Sequence, residues 1–187
     1  MLHIPYDAAL WRVADARASS MPVLAGSHRR AAANQVGALG EVLVENFLTS
    51  HELPFEARYS TDCDLLVAGR SVEIKTKDRT VAPEAHFDCS VPLYNHEHQA
   101  VDVYIFVSLK RDRRNTSTSI NRYTDAYLLG WASRSWMMGG RHWPRDSVDP
   151  ENGTKFWTDC INRPISDLRS MEDMVTEIRR RLARQVG

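Results

Sequence analysis

The hydrophobic positions repeat with two different periods, and the change of period marks the elements. Val36, Leu39, Leu43 and Phe47 recur at helical spacing. They predict a helix over about 28–48, capped by Ser27, with this stripe turned toward the core. Residues 65–67 and 72–74 are short, apolar and β-prone, and Ala68, Gly69, Arg70 and Ser71 between them read as a hairpin turn. With Gly69-Arg70 as the two-residue loop, Gly69 suits the first central position of a type II′ turn. Counting back from that loop sets Leu66 opposite Glu73 and Asp64 opposite Lys75. Further along, 87–91 reads as a third strand, and the unbroken apolar run 101–109 as a strand buried on both faces. A short helix is expected over 94–100 and another strand over 126–132. The stretch 139–155, with Trp143, Pro144 and Pro150, is loop-rich. Ser170 and Asp173 form a capping-box-like pair before a helix whose Met174, Val175, Ile178 and Leu182 make a core stripe. At the other end, Asp7 caps a short helix through about residue 18 bearing Leu10, Trp11 and Ala14, followed by a linker over 19–26. The expected organisation is an N-terminal helical arm, 1–26, and one domain, 27–187. The fold class is α/β, a mixed central β-sheet flanked by helices.

The hairpin also carries chemistry. Side chains alternate along a strand and opposed residues share a face, so Asp64, Glu73 and Lys75 fall on one side of the sheet. A one-residue slip would send Asp64 to the other side. Two carboxylates and an amine on one face make either a divalent-metal site or an ordinary solvated ion pair. On the helix, Glu41 lies outside the core stripe, on a ridge with Gly37, Val44 and Leu48. An acid at that border can reach a metal that a solvated one cannot. Gly37 and Gly40 each weaken a helix by roughly 1 kcal/mol relative to Ala, which implies that something approaches the backbone closely there. Hard oxygen donors of this kind suit Mg²⁺ or Mn²⁺.

The order Gly40-Glu41 on a first helix, then Asp64, then Glu73-Ile74-Lys75 resembles the PD-(D/E)XK nuclease superfamily over roughly residues 28–132. The resemblance implies a restriction-endonuclease-like fold and a Mg²⁺- or Mn²⁺-dependent DNA nuclease that hydrolyses phosphodiester bonds with a metal-activated water. It makes Asp64 and Glu73 the metal-ligating acids and Lys75 the lysine that activates or orients the water. Glu41 becomes the helix acid that contacts metal directly or through water. A plain duplex, a branched junction and a single strand are all compatible with this reading; junction-resolving enzymes of similar size share the order, which puts branched or junction DNA first among them. Cys63 stands where the name-giving proline of the motif would be, and Asp62, of the same strand parity as Asp64, is an alternative ligand. The reading from another class is a catalytically silent nucleic-acid-binding or assembly protein that keeps the fold.

Composition narrows the partners. A chain of 187 residues suits one domain with a substantial core, and its formal net charge of zero argues against an indiscriminate DNA coat. Local patches then matter: Lys77 as a phosphate contact on the face of Lys75, and Lys110, Arg111, Arg113 and Arg114 as a DNA-contacting loop. Arg179, Arg180, Arg181 and Arg184 read as the polar face of the closing helix. With no obvious separate recognition domain, either a homodimer or a structure-selective groove is expected. Three cysteines without a C-x-x-C pair fit a reducing compartment. There is no basic leader followed by an apolar core and no window near 18 apolar residues, so the expectation is a cytoplasmic protein off the membrane, phage- or plasmid-encoded ones included. His86, Cys89, His96 and His98 offer soft ligands but match no standard zinc spacing. His96, His98 or Gln99 is also a candidate for an extra polar group near the metal face. Trp131, Trp136, Trp143 and Trp157, with Tyr123 and Tyr127, either stack on bases or fill a core.

Overall fold

A computed structural model describes residues 1–21, 31–58, 60, 62–93, 101–150 and 153–186, with the backbone alone for Ala31 and Val186. The expected cap Ser27, the expected helix start at His28, the helix over 94–100 and residues His96, His98 and Gln99 lie outside the described residues. The chain begins with a short strand, β1 (Leu2–Pro5), that its composition did not announce. Asp7 then accepts the backbone N–H groups of Ala9 and Leu10 and starts α1 (Ala8–Ser20). The second helix, α2 (Ala31–Ser50), buries the expected stripe of Val36, Leu39, Leu43 and Phe47.

Three strands follow: β2 (Phe55–Ala57), β3 (Leu65–Val67) and β4 (Arg70–Arg79). The β3–β4 turn corrects the expected register. Its two-residue loop is Ala68-Gly69, both at positive φ (48° and 74°), which makes a type I′ turn instead of II′. Val67 therefore pairs with Arg70, Leu66 with Ser71 and Leu65 with Val72. Leu66 does not face Glu73, and the same count places Asp64 level with Glu73, not Lys75. Moving a two-residue loop by one position shifts the pairing by two residues, so the face of each side chain survives the error.

Next come β5 (Asp88–Pro92), β6 (Val103–Arg111), β7 (Tyr123–Ser133), a short helix α3 (Arg134–Met138), β8 (Arg141–Trp143), β9 (Cys160–Pro164) and α4 (Met171–Val186). The stretch expected as a loop over 139–155 thus contributes β8. The strands form a six-stranded mixed sheet in the order β1-β7-β6-β4-β3-β2 and a three-stranded sheet β5-β9-β8. The strand expected over 87–91 exists as β5, but it belongs to the second sheet. Among the described residues only β4 and β6 run parallel, from Val72↔Val103 to Arg79↔Lys110.

β6 is buried on both faces, as its apolar run requires. Its odd positions Val103, Ile105, Val107 and Leu109 join a core with α1, α2 and α4. Tyr104 and Phe106 join a second core with Cys89 and Val91 of β5 and Ile161 of β9. The N-terminal helix packs on the rest of the fold: Trp11 is fully buried in the first core and its indole N–H donates to the Tyr123 carbonyl at 2.9 Å. α4 closes that core, with Ser170 and Asp173 exchanging the reciprocal bonds of a capping box.

Candidate functional site

The site begins where β3 runs out. Its ladder with β4 ends at Leu65, and Asp64 continues it in two ways. The Asp64 N–H donates to the Val72 carbonyl at 3.0 Å, and its carboxylate accepts the Ile74 N–H at 2.6 Å. This fixes the carboxylate beside β4, next to the buried Glu73. The Lys75 ammonium donates to Glu73 Oε1 at 2.6 Å. Burial, followed by the charge of Glu73, pushes the Asp64 pKa up to about 7, against the opposing Ile74 N–H bond; Glu41 adds to the rise and Lys75 works against it.

α2 brings Glu41 to the same region, and Gly40 explains how. A Cβ on Gly40 would collide with Thr76 Oγ1, so only glycine lets the helix lie this close to β4. Gly37 has no such neighbour: a Cβ there would meet only Glu41, at 3.9 Å. Glu41 itself is buried instead of at a border, because α1 covers it. Arg17 of α1 donates to Glu41 at 3.3 Å and, through two nitrogens, to Glu45 at 2.7 Å each. Burial raises the Glu41 pKa, Arg17 opposes this, and Glu45 and Glu73 add to the rise.

The three expected acids therefore feel one another but are not gathered equally. Among the described residues no group of three or more His, Cys, Asp or Glu side chains is close enough to hold a metal ion. Asp64 and Glu73 do fit a hard divalent cation: both are carboxylates set into the protein, and the charge of Glu73 helps to raise the Asp64 pKa, an effect that a cation beside them would offset. Glu41, held by Arg17, stands behind that pair. Asp62, the alternative ligand, is exposed in the loop before it.

Lys77 and Arg79 continue the face of Lys75 along β4 and line a cavity of about 400 Å³ between β4 and β5. Lys77 is open to solvent inside this concavity, yet the walls and then the charge of Arg79 lower its pKa. Arg79 donates to the Asp88 carbonyl at 3.0 Å. The basic loop expected to touch DNA is split: Lys110 pairs with Asp125 at 3.3 Å and Arg111 with Asp78 at 3.2 Å, while Arg113 and Arg114 are exposed. In α4, Arg179 donates to the His51 carbonyl, and Arg180 and Arg181 pair with Glu177.

The soft-ligand set finds no support among the described residues. His86 is exposed and pairs with Glu84, while burial pushes the Cys89 thiol up to about 12, far from the thiolate that zinc requires. The aromatic set divides clearly. Trp131 stacks under Arg169, Trp136 under Arg163, and Trp143 lies against Phe156, whereas Trp157 is 65% exposed at the cavity. Two contributors were not anticipated. Arg17 left no trace because its partners are on another helix; Arg79 was readable as the third basic residue in the alternation Lys75, Lys77, Arg79. No protein-family model and no curated protein sequence matches the chain. Among the described residues no helix is long and apolar enough to cross a membrane.

Proposed function

We propose that this protein is a Mg²⁺- or Mn²⁺-dependent deoxyribonuclease of the restriction-endonuclease-like type. One observation carries the reading: Asp64, just before the short β3, lies beside Glu73 of β4, near enough for the Glu73 charge to raise its pKa, with Lys75 bonded to Glu73. Asp64 and Glu73 would hold the cation, which when bound offsets phosphate charge and makes water at the site more acidic. The protein's own groups supply the rest. Glu73 fixes the Lys75 ammonium at 2.6 Å, so its remaining N–H bonds are directed for a water or a phosphate oxygen. Arg17 keeps Glu41 and Glu45 from repelling the pair at full strength.

The test is nicking of supercoiled plasmid in Mg²⁺ and in Mn²⁺. The intact protein is expected to nick, and Asp64→Ala, Glu73→Ala and Lys75→Ala each to lose at least about 100-fold. Equal cleavage by all four proteins, or none by the intact one on plasmid, linear duplex, four-way junction and single strand, removes the assignment. A second reading, a nucleic-acid-binding protein without catalysis, is favoured by one contact: Arg17 already occupies the helix acid. It predicts DNA binding that none of the three substitutions abolishes, and no cleavage. The preference for junctions rests on the resemblance alone, and equal rates on a junction and on a linear duplex of the same arms would remove it.

A further inference from the structure

β4 presents more than one cation. Lys75, Lys77 and Arg79 stand at alternate positions of the strand, so their Cα atoms recur about every 7 Å along one face. They form one side of the cavity of about 400 Å³, and β5 forms the other. Two acids, Glu73 and Asp88, share the side of these three cations, with Glu73 bonded to Lys75 at 2.6 Å, while Asp78, between Lys77 and Arg79, belongs to the opposite face of the strand. Asp78 is paired by Arg111 at 3.2 Å, and the Asp88 carboxylate accepts from Asn162 at 2.9 Å. Among the described residues the Lys77 ammonium makes no hydrogen bond or ion pair. At the lip stands Trp157, its indole exposed and covered on one face by the Lys155 ammonium at 4.7 Å.

A track of regularly spaced cations leading to a solvent-exposed indole fits one kind of ligand well. A single nucleotide strand carries regularly repeated phosphates and unstacked bases, and proteins hold it through a cationic groove plus aromatic platforms. A duplex keeps its bases within its own stack and gives an indole nothing to lie on. An acidic peptide would use the cations but not the ring. We infer that this groove binds an unpaired nucleotide strand, with successive phosphates on Lys75, Lys77 and Arg79 and a base on Trp157. An arriving phosphate would also relieve the repulsion between Lys77 and Arg79. The substrate class follows: DNA with a single-stranded stretch, in preference to continuous duplex or a fully paired junction. That the phosphate at Lys75 is the one cleaved rests on the nuclease reading; strand binding itself stands on the groove.

The two are separated by measuring binding without metal. In EDTA at low salt, fluorescence anisotropy with a labelled oligothymidylate of about ten nucleotides is expected to report saturable binding. Unlabelled single strand should compete, whereas blunt duplex of equal length and polyglutamate should not. Trp157→Ala is expected to weaken binding about tenfold, and Lys77→Ala to reduce the slope of log affinity against log salt by roughly 0.7. Both side chains are exposed, so a circular dichroism spectrum and a melting temperature matching the intact protein would establish that the variants are folded. Absence of binding, equal competition by duplex, or unchanged affinity in both variants overturns the groove assignment. Binding with this variant pattern but no cleavage in Mg²⁺ or Mn²⁺ removes the nuclease and keeps the groove; cleavage without metal-free strand binding does the reverse.

Discussion

Asp64 is the residue whose protonation state most directly reports on the site. Its carboxyl is held near pH 7 in the fold, against 3.8 for the free side chain. Below about pH 4 both states carry the proton and the group is neutral in the balance. Between pH 4 and 7 the unfolded chain ionises while the folded one keeps its proton, so this group costs stability as pH rises, and the whole cost is present above 7. The penalty is on the order of 2–4 kcal/mol. Asp64→Asn is therefore expected to raise the metal-free melting temperature at pH 7.5 by at least about 4 °C and to leave it nearly unchanged at pH 4. Millimolar Mg²⁺ or Mn²⁺ should stabilise the intact protein at pH 7.5 and not the Asn variant. A pH profile of melting that is the same in both proteins would show that Asp64 is not the strained group. Arg17 works in the other sense. Arg17→Met leaves Glu41 and Glu45 facing each other with the Arg17 charge removed, and should cost about 2 kcal/mol at pH 7.5 and less at pH 4.5, where Glu41, its pKa raised by burial, takes up a proton. Urea unfolding at the two pH values measures this directly.

At the scale of elements, the contact of α2 with β4 decides how near the helix acid comes to the strand acids. Gly40→Ala should cost about 1–3 kcal/mol through its clash with Thr76, and Thr76→Ala should recover part of that loss, a coupling that a double-mutant cycle measures. The β3–β4 turn offers the opposite outcome. Ala68 sits at φ 48°, where Asn is better tolerated, so Ala68→Asn is expected to raise the urea midpoint while leaving the register intact. These two places also show what was legible in the chain. The stripe Val36, Leu39, Leu43, Phe47 and the close approach at Gly40 could be read because they depend on local spacing and on one missing side chain. The turn was misplaced by one residue because Ala is a poor occupant of the left-handed region, and Gly69 fits either hairpin type at different positions. The face shared by Asp64, Glu73 and Lys75 was nonetheless right, since parity outlasts an even shift in register.

At the scale of the whole molecule, less could be foreseen. β8 and β9 are three and five residues long, too short for any periodicity to announce them, and nothing local in β5 says which sheet it will join. Arg17 meets its partners 24 and 28 residues away, through helix packing that no spacing rule encodes. The parallel alignment of β4 with β6 has a consequence of its own. Parallel neighbours cannot be linked by a tight turn, so after Arg79 the chain must travel back the length of the sheet before Val103 can begin. That compulsory return leg carries β5, and β5 becomes the wall facing Lys75, Lys77 and Arg79. The connector that closes the topology is thus also the bank of the channel. Cys89 and Val91 of β5 also pack in one cluster with Cys63, the residue before Asp64, so a detour that the sheet requires in any case both walls the cavity and braces the segment that carries the acid.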